Sequence, residues 1–129
     1  LLKNVLPDLA VNNGLPIDVL SRDAASNQAY REDPLVHPKA SVRLAAFMME
    51  AAEDVMKNAN EWDVPLYLAH GSADPICPVA GSDQFAQRLG SKVTYKRWDG
   101  FYHETHNEPE KDVVIAAMLD WVEGQLTRS

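Results

Sequence analysis

An acid and a histidine, each at the end of an apolar run, are the residues of this sequence best suited to chemistry. Leu68-Ala69-His70-Gly71-Ser72-Ala73-Asp74-Pro75 ends one run in a turn that carries Asp74. Gly100-Phe101-Tyr102-His103-Glu104 ends a second in a turn that carries His103. Acid followed by histidine is the order of the last two members of a Ser…Asp…His triad whose nucleophile comes first along the chain. In such a triad the carboxylate accepts a hydrogen bond from one imidazole nitrogen, which fixes the tautomer and stabilises the imidazolium. The other nitrogen takes the serine proton and returns it to the leaving group. If both runs are strands of an open parallel sheet, their carboxyl ends share one rim, where functional loops gather. Residue type and position also allow a plainer account, with Asp74 closing a turn before Pro75 and His103 a polar residue near a helix start. The 129 residues contain no G-x-S-x-G, the nucleophile elbow that would complete the set.

Other reactive residues are weaker candidates. His103 and His106 form H-x-x-H, but zinc needs further ligands in a suitable geometry. His106 is therefore read as a surface or capping residue, and no metal is expected. His37, in a loop, and His70, at a strand end, are read as structural. Cys77 follows the acid by three residues, so it either lines the mouth of a site or is a small buried apolar group. Met48, Met49 and Met56 could accommodate an acyl chain, although packing in a core is the simpler account.

The elements that must position these residues follow from the hydrophobic pattern. Residues 1–36 are punctuated by Pro7, Asn12-Asn13-Gly14, Pro16 and Asp33-Pro34, and read as irregular. Val42, Ala45, Met49, Ala52, Met56 and Ala59 recur at helical steps, widened by Leu44, Met48, Ala51 and Val55, with Ser41 as N-cap. Residues 64–70 form a continuous apolar run, the mark of a strand buried on both faces. Val79 to Leu89 reads as a helix closed by Gly90, and residues 92–98 as a second strand turned by Asp99-Gly100. For the last helix, Asn107 and Glu110 suggest a capping box, with Pro109 in the first turn and Glu108 and Asp112 suited to the helix dipole. Its apolar face is Val114, Ala117, Met118, Trp121, Val122 and Gln125-Leu126. Strand, helix, strand, helix makes a βαβα unit with a parallel sheet. Two parallel strands leave backbone edges and apolar faces uncovered. The remaining cover is expected from other polypeptide.

Bulk properties narrow the partners. The length suits one domain, and a net charge of -7 argues against nucleic acid. One cysteine, Cys77, allows no internal disulfide and fits a reducing compartment. No apolar run approaches the roughly 20 residues of a membrane span, and the N-terminus lacks a signal-peptide pattern. Leu1-Leu2-Lys3 reads like the middle of a longer chain. Leu1-Leu2, Val5-Leu6, Leu9 and Val11 could form a lid surface or pack against further polypeptide.

From about Leu6 to Leu126 the chain resembles the C-terminal half of the monoacylglycerol lipase and lysophospholipase group of α/β-hydrolases, which is also grouped with the serine aminopeptidases. The resemblance is carried by Ser21-Arg22, Asp33-Pro34-Leu35-Val36-His37, the stretch Val64 to Asp74 with its H-G-x-x-D, Tyr102-His103-Glu104, Asn107-Glu108-Pro109-Glu110 and the Trp121-Val122 helix. It implies an α/β fold made of the C-terminal βαβα part of the hydrolase sheet plus part of a cap. Residues 1–40 would be the cap or lid segment and 41–129 the C-terminal portion of the core. It implies Asp74 as acid and His103 as base, with the serine and oxyanion loop outside this chain and no cofactor. The implied substrate is a monoacylglycerol or lysophospholipid-type ester, although fold and triad do not choose the acyl group. The implied partners are the N-terminal half of a hydrolase, or a second copy over the open sheet edge. The implied location is cytoplasmic, at the periphery of membranes or lipid droplets. A reading of another class is a catalytically silent fragment or interaction module held by strand-edge pairing, and the missing serine elbow favours it for the isolated chain.

Overall fold

The computed structural model describes residues 2–127. Leu1, Arg128, Ser129 and the side chain of Leu2 lie outside the described residues, and so does that part of the expected N-terminal lid surface. In chain order the elements are α1 (Leu2–Val5), β1 (Ala10–Asn12), α2 (Ala24–Glu32), β2 (Lys39–Ser41), α3 (Val42–Lys57), β3 (Leu66–Gly71), α4 (Val79–Leu89), β4 (Val93–Trp98) and α5 (Lys111–Leu126). Single turns of 3-10 helix lie at Ile17–Val19, Ala59–Glu61, Gly90–Lys92 and Thr105–Asn107.

The expected βαβα unit is present as β3-α4-β4-α5, with β3 and β4 parallel. Their register pairs Leu66 with Val93 at one end and Gly71 with Trp98 at the other, so both strands stop at the same level. Because strand side chains alternate, His70, Tyr95 and Arg97 face α4. Their partners there are Ser82 and Asp83. Tyr67, Thr94 and Trp98 face α5. Trp121 of α5 lies 5.7 Å from the Tyr67 ring, and its indole nitrogen donates to Thr94 Oγ1 at 3.0 Å. The core on that side is Trp98, Phe101 and Val114, with Ala69 and Ala117 against it. Trp98 and Phe101 stack at 5.4 Å.

Several expectations need correction. Residues 1–36 are not irregular throughout, since they hold α2, and β1 pairs antiparallel with β2. The α2 pattern is weak because the helix is largely polar. Its start rests instead on Asp23, whose side chain accepts from the Ala25 amide at 2.9 Å. Ser41 does cap α3, accepting from Leu44 N at 3.1 Å. Yet α3 has no buried residue, and Phe47, Met48 and Met49 are all more than half exposed. β3 is half-buried rather than buried along Leu66 to His70, since among the described residues only β4 pairs with it. The capping box of the last helix is absent. Asn107 donates to Glu104 inside a 3-10 turn, α5 starts at Lys111, and Glu110 makes no side-chain cap. The face of α5 that meets the sheet is narrower than its apolar residues suggest. Val114 is fully buried, whereas Met118, Val122 and Leu126 are exposed.

Candidate functional site

Equal strand ends bring two loops side by side. The Ser72 amide donates to Trp98 O at 2.8 Å and the Ala73 amide to Phe101 O at 3.0 Å. Ser72 Oγ donates to Asp99 at 3.0 Å and accepts from the Gly100 amide at 2.8 Å. Gly71 makes this approach sterically feasible. A Cβ at position 71 would lie 2.2 Å from Tyr102 O and 2.3 Å from Phe101 O. The glycine of H-G-x-x-D is thus required by the neighbouring loop and not by its own dihedral angles. Gly100 is required by its φ of +74°, which turns the chain after β4.

The two accounts of Asp74 both hold, one for each carboxylate oxygen. Oδ1 accepts from the Ile76 amide at 2.8 Å and the Cys77 amide at 3.0 Å, closing the turn. Oδ2 lies 2.8 Å from His103 Nδ1. The carboxylate only accepts, so the proton between them belongs to Nδ1. The Asp74 side chain is 2 % exposed, and that burial alone would raise its pKa. Hydrogen bonds from the Cys77 amide, His103 and the Ile76 amide outweigh it and hold the carboxyl below its ordinary value. The His103 side chain is 34 % exposed. An imidazole held by Nδ1 in this way leaves Nε2 to exchange a proton with a hydroxyl on the open side.

The His103 loop is braced from below by a residue that the sequence reading placed on the helix dipole. Glu108 is fully buried. It accepts from the Tyr102 amide at 2.6 Å, the Arg22 amide at 3.2 Å and Arg22 Nε at 2.8 Å. Arg22 also lies 4.6 Å over the Phe101 ring and pairs with Glu110. Ser21 Oγ donates to Asn107 O at 2.7 Å, and Glu104 N donates to Leu20 O at 2.8 Å. Buried Asn27 holds Ser21 by its backbone, accepting from its amide and donating to its carbonyl. The segment around Leu20 to Arg22 is therefore a floor for the loop carrying His103. Its sequence signal was present as Ser21-Arg22 and Asn107-Glu108-Pro109-Glu110. Nothing in the spacing showed that the two would meet.

The remaining candidates separate clearly. His70 lies 3.1 Å from Asp74 Oδ2 and belongs to the site. His37 accepts from the Lys39 amide within its own loop, and exposed His106 sits in the 3-10 turn before α5. Cys77 is exposed rather than buried. Asp74, Cys77 and His103 each place one ligand atom within 4.8 Å of the others. Partial desolvation of the sulfur beside the turn and the charge of Asp74 push the Cys77 thiol up, away from the thiolate form that binds metals.

Comparison with known proteins gives the family and the fold. The family model described as Hydrolase_4: Serine aminopeptidase, S33 matches residues 1–110. An uncharacterised abhydrolase domain-containing protein of Dictyostelium discoideum is 36% identical over 98% of this chain, which covers 14% of that protein. A monoacylglycerol lipase of Mycolicibacterium smegmatis is 34% identical over 97% of the chain, which covers 45% of it. The crystal structure of Paleococcus ferrophilus monoacylglycerol lipase superposes with a TM-score of 0.90 at 33% identity, over 93% of this chain and 48% of that one. The chain thus spans less than half the length of each of these relatives.

Proposed function

Because the chain belongs to the Hydrolase_4 (serine aminopeptidase, S33) family of α/β-hydrolases, we propose that it supplies the acid and base of a serine ester hydrolase acting on monoacylglycerols or lysophospholipids. Asp74 orients His103, and His103 takes the proton of a serine hydroxyl through Nε2 and delivers it to the leaving alcohol. The serine and its oxyanion donors come from polypeptide outside this chain, so the isolated chain is inactive. The observation that carries the reading is the 2.8 Å contact between His103 Nδ1 and a carboxylate that is 2 % exposed and fixed by two backbone amides. The ester class rests on the lipase relatives. A hydrolase of this family described only by fold would leave the acyl group open.

The covering partner is proposed as the serine-bearing half of the hydrolase. It would pair with the free edge of β3 and lie over the exposed apolar residues of α3 and α5. Among the described residues no helix is long and apolar enough to cross a membrane. We place the protein in the cytoplasm, meeting lipid at membrane or droplet surfaces. The test is hydrolysis of a monoacylglycerol and of a lysophospholipid by this chain alone and by the chain assembled with a serine-bearing half. We expect turnover only in the assembly, abolished by His103→Ala. Turnover by the assembly that survives His103→Ala would refute the role of the histidine. Turnover by the chain alone would refute the external serine.

A further inference from the structure

His103 is not the only histidine on the buried acid. His70, the penultimate residue of β3, is 14 % exposed in its side chain, and its Nε2 lies 3.1 Å from the same Oδ2 that meets His103. We propose that His70, set by Ser82, is a positioning residue for Asp74. This rests on the reading of Asp74 as the acid that orients His103.

The protonation pattern follows from the partners. Nε2 of His70 faces two acceptors, Asp74 Oδ2 and the Cys77 carbonyl at 3.0 Å. Nε2 therefore carries the proton. Nδ1 of the neutral ring must then accept, and its neighbour at 2.7 Å is Ser82 Oγ on α4. Ser82 donates, and by doing so it selects the tautomer that donates to the Cys77 carbonyl. The chain of donors runs Ser82 to His70 to the Cys77 carbonyl, and the same Nε2 lies 3.1 Å from the Asp74 oxygen that receives His103.

Three donors and one close imidazole now define the carboxylate. The Ile76 and Cys77 amides hold Oδ1, His103 holds Oδ2, and His70 Nε2 lies 3.1 Å from Oδ2. The second carbon torsion of an aspartate is soft and roughly two-fold, so holding Oδ1 alone leaves the plane of the group free to rock. The His70 ring, with Nε2 3.1 Å from Oδ2, limits that rocking by its contact. Through the Cys77 carbonyl it also ties the turn that carries the acid to α4. The aim of Oδ2 at His103 Nδ1 then survives each change in the charge of the His103 ring during turnover.

The experiment compares His70→Phe, which keeps ring volume and loses the Nε2 donor and the Nδ1 acceptor, with His70→Gln, whose amide can still donate to the Cys77 carbonyl beside Asp74. One readout is the His103 Nδ1 proton resonance in the 129-residue chain itself. The other is kcat and KM for a monoacylglycerol in the assembled enzyme. The expected result for His70→Phe is a shifted or broadened His103 Nδ1 proton, with kcat lowered about 10- to 100-fold, the range of a misaimed catalytic group. KM should stay within about twofold, since His70 is not placed against the ester. His70→Gln should restore both signals to near wild type, and Ser82→Ala, which frees the tautomer, should fall between. Equal losses in His70→Gln and His70→Phe, or an unchanged resonance and kcat in His70→Phe, would overturn the proposal. If His70→Phe fails to fold, Ser82→Ala with wild-type resonance and kcat overturns it equally. Asp74→Asn serves as the separate check. A kcat unaffected by Asp74→Asn would sink the underlying triad reading, whereas loss in Asp74→Asn alone would sink only the role of His70.

Discussion

Replacing Gly71 by alanine tests whether the close approach of two loops is what makes the acid–histidine pair. The added Cβ would sit 2.2 Å from Tyr102 O and 2.3 Å from Phe101 O, both backbone atoms, where ordinary contact begins at 3.4 Å. No side-chain rotation relieves this, so the loops must part by about 1 Å. The 2.8 Å contact between His103 and Asp74 would then stretch to about 3.8 Å, beyond hydrogen-bonding range. A misplacement of that size lowers turnover by about 10²-fold, and the overpacking costs about 1–3 kcal/mol of stability. The measurements are kcat in the assembled hydrolase, the His103 Nδ1 proton resonance, and a urea melt. Gly81→Ala is the control, because an added Cβ there meets nothing within 4 Å inside α4. It should be neutral, or stabilising by up to about 1 kcal/mol. A Gly71→Ala protein with kcat within threefold of wild type, an intact resonance and an unchanged melt would refute the reasoning.

Glu108→Ala leaves two backbone amides unpaired around an emptied buried site and leaves the Arg22 guanidinium with Glu110 alone as its carboxylate partner. It should cost about 3–5 kcal/mol in a denaturant melt, with Glu108→Gln costing less because an amide oxygen still accepts. Asp74→Asn removes the carboxylate that selects the His103 tautomer, and kcat should fall by about 10⁴-fold in the assembled enzyme. The pH dependence of stability has a definite sign. Asp74 is held below its ordinary pKa of 3.8, so its contribution is complete above that value and is lost as pH falls through the lower folded one. Wild type should therefore lose more stability than Asp74→Asn in acid melts below about pH 4. At the alkaline end, burial and the hydrogen bond to Asp83 push Tyr95 up to about 12. Its contribution holds below the ordinary phenol value of 10.0 and fades as pH climbs toward 12. Tyrosinate absorbance should lose its group at about 12 in Tyr95→Phe, while Tyr67, which burial also raises, still titrates above the ordinary phenol value.

Local chemistry made much of the molecule readable in advance. The period of apolar residues, Ser41 as a cap, Gly90 as a stop and the two short apolar runs are each determined by interactions within a few residues. α3, α4 and both parallel strands accordingly lie close to where the pattern predicts them. The order Asp74 then His103, each after a strand, is likewise a local property joined to one topological rule. The rest depended on residues distant in sequence. Glu108 has the type and position of a helix-dipole acid, and only the arrival of Arg22 and the Tyr102 amide turns it into a buried brace. His70 looks like a strand-end residue until α4 brings Ser82 to one nitrogen and the turn brings Asp74 to the other. The apolar faces of α3 and α5 were legible as faces, but whether a face is buried is decided by what lies against it. By itself the sequence determined α3, α4, the two parallel strands and the two groups able to pass a proton, because backbone preference and residue chemistry act locally. Only the tertiary structure decided that these groups meet at 2.8 Å and what holds them there. Long-range packing and hydrogen bonds do that work, and a strand end or an isolated side chain carries no record of them.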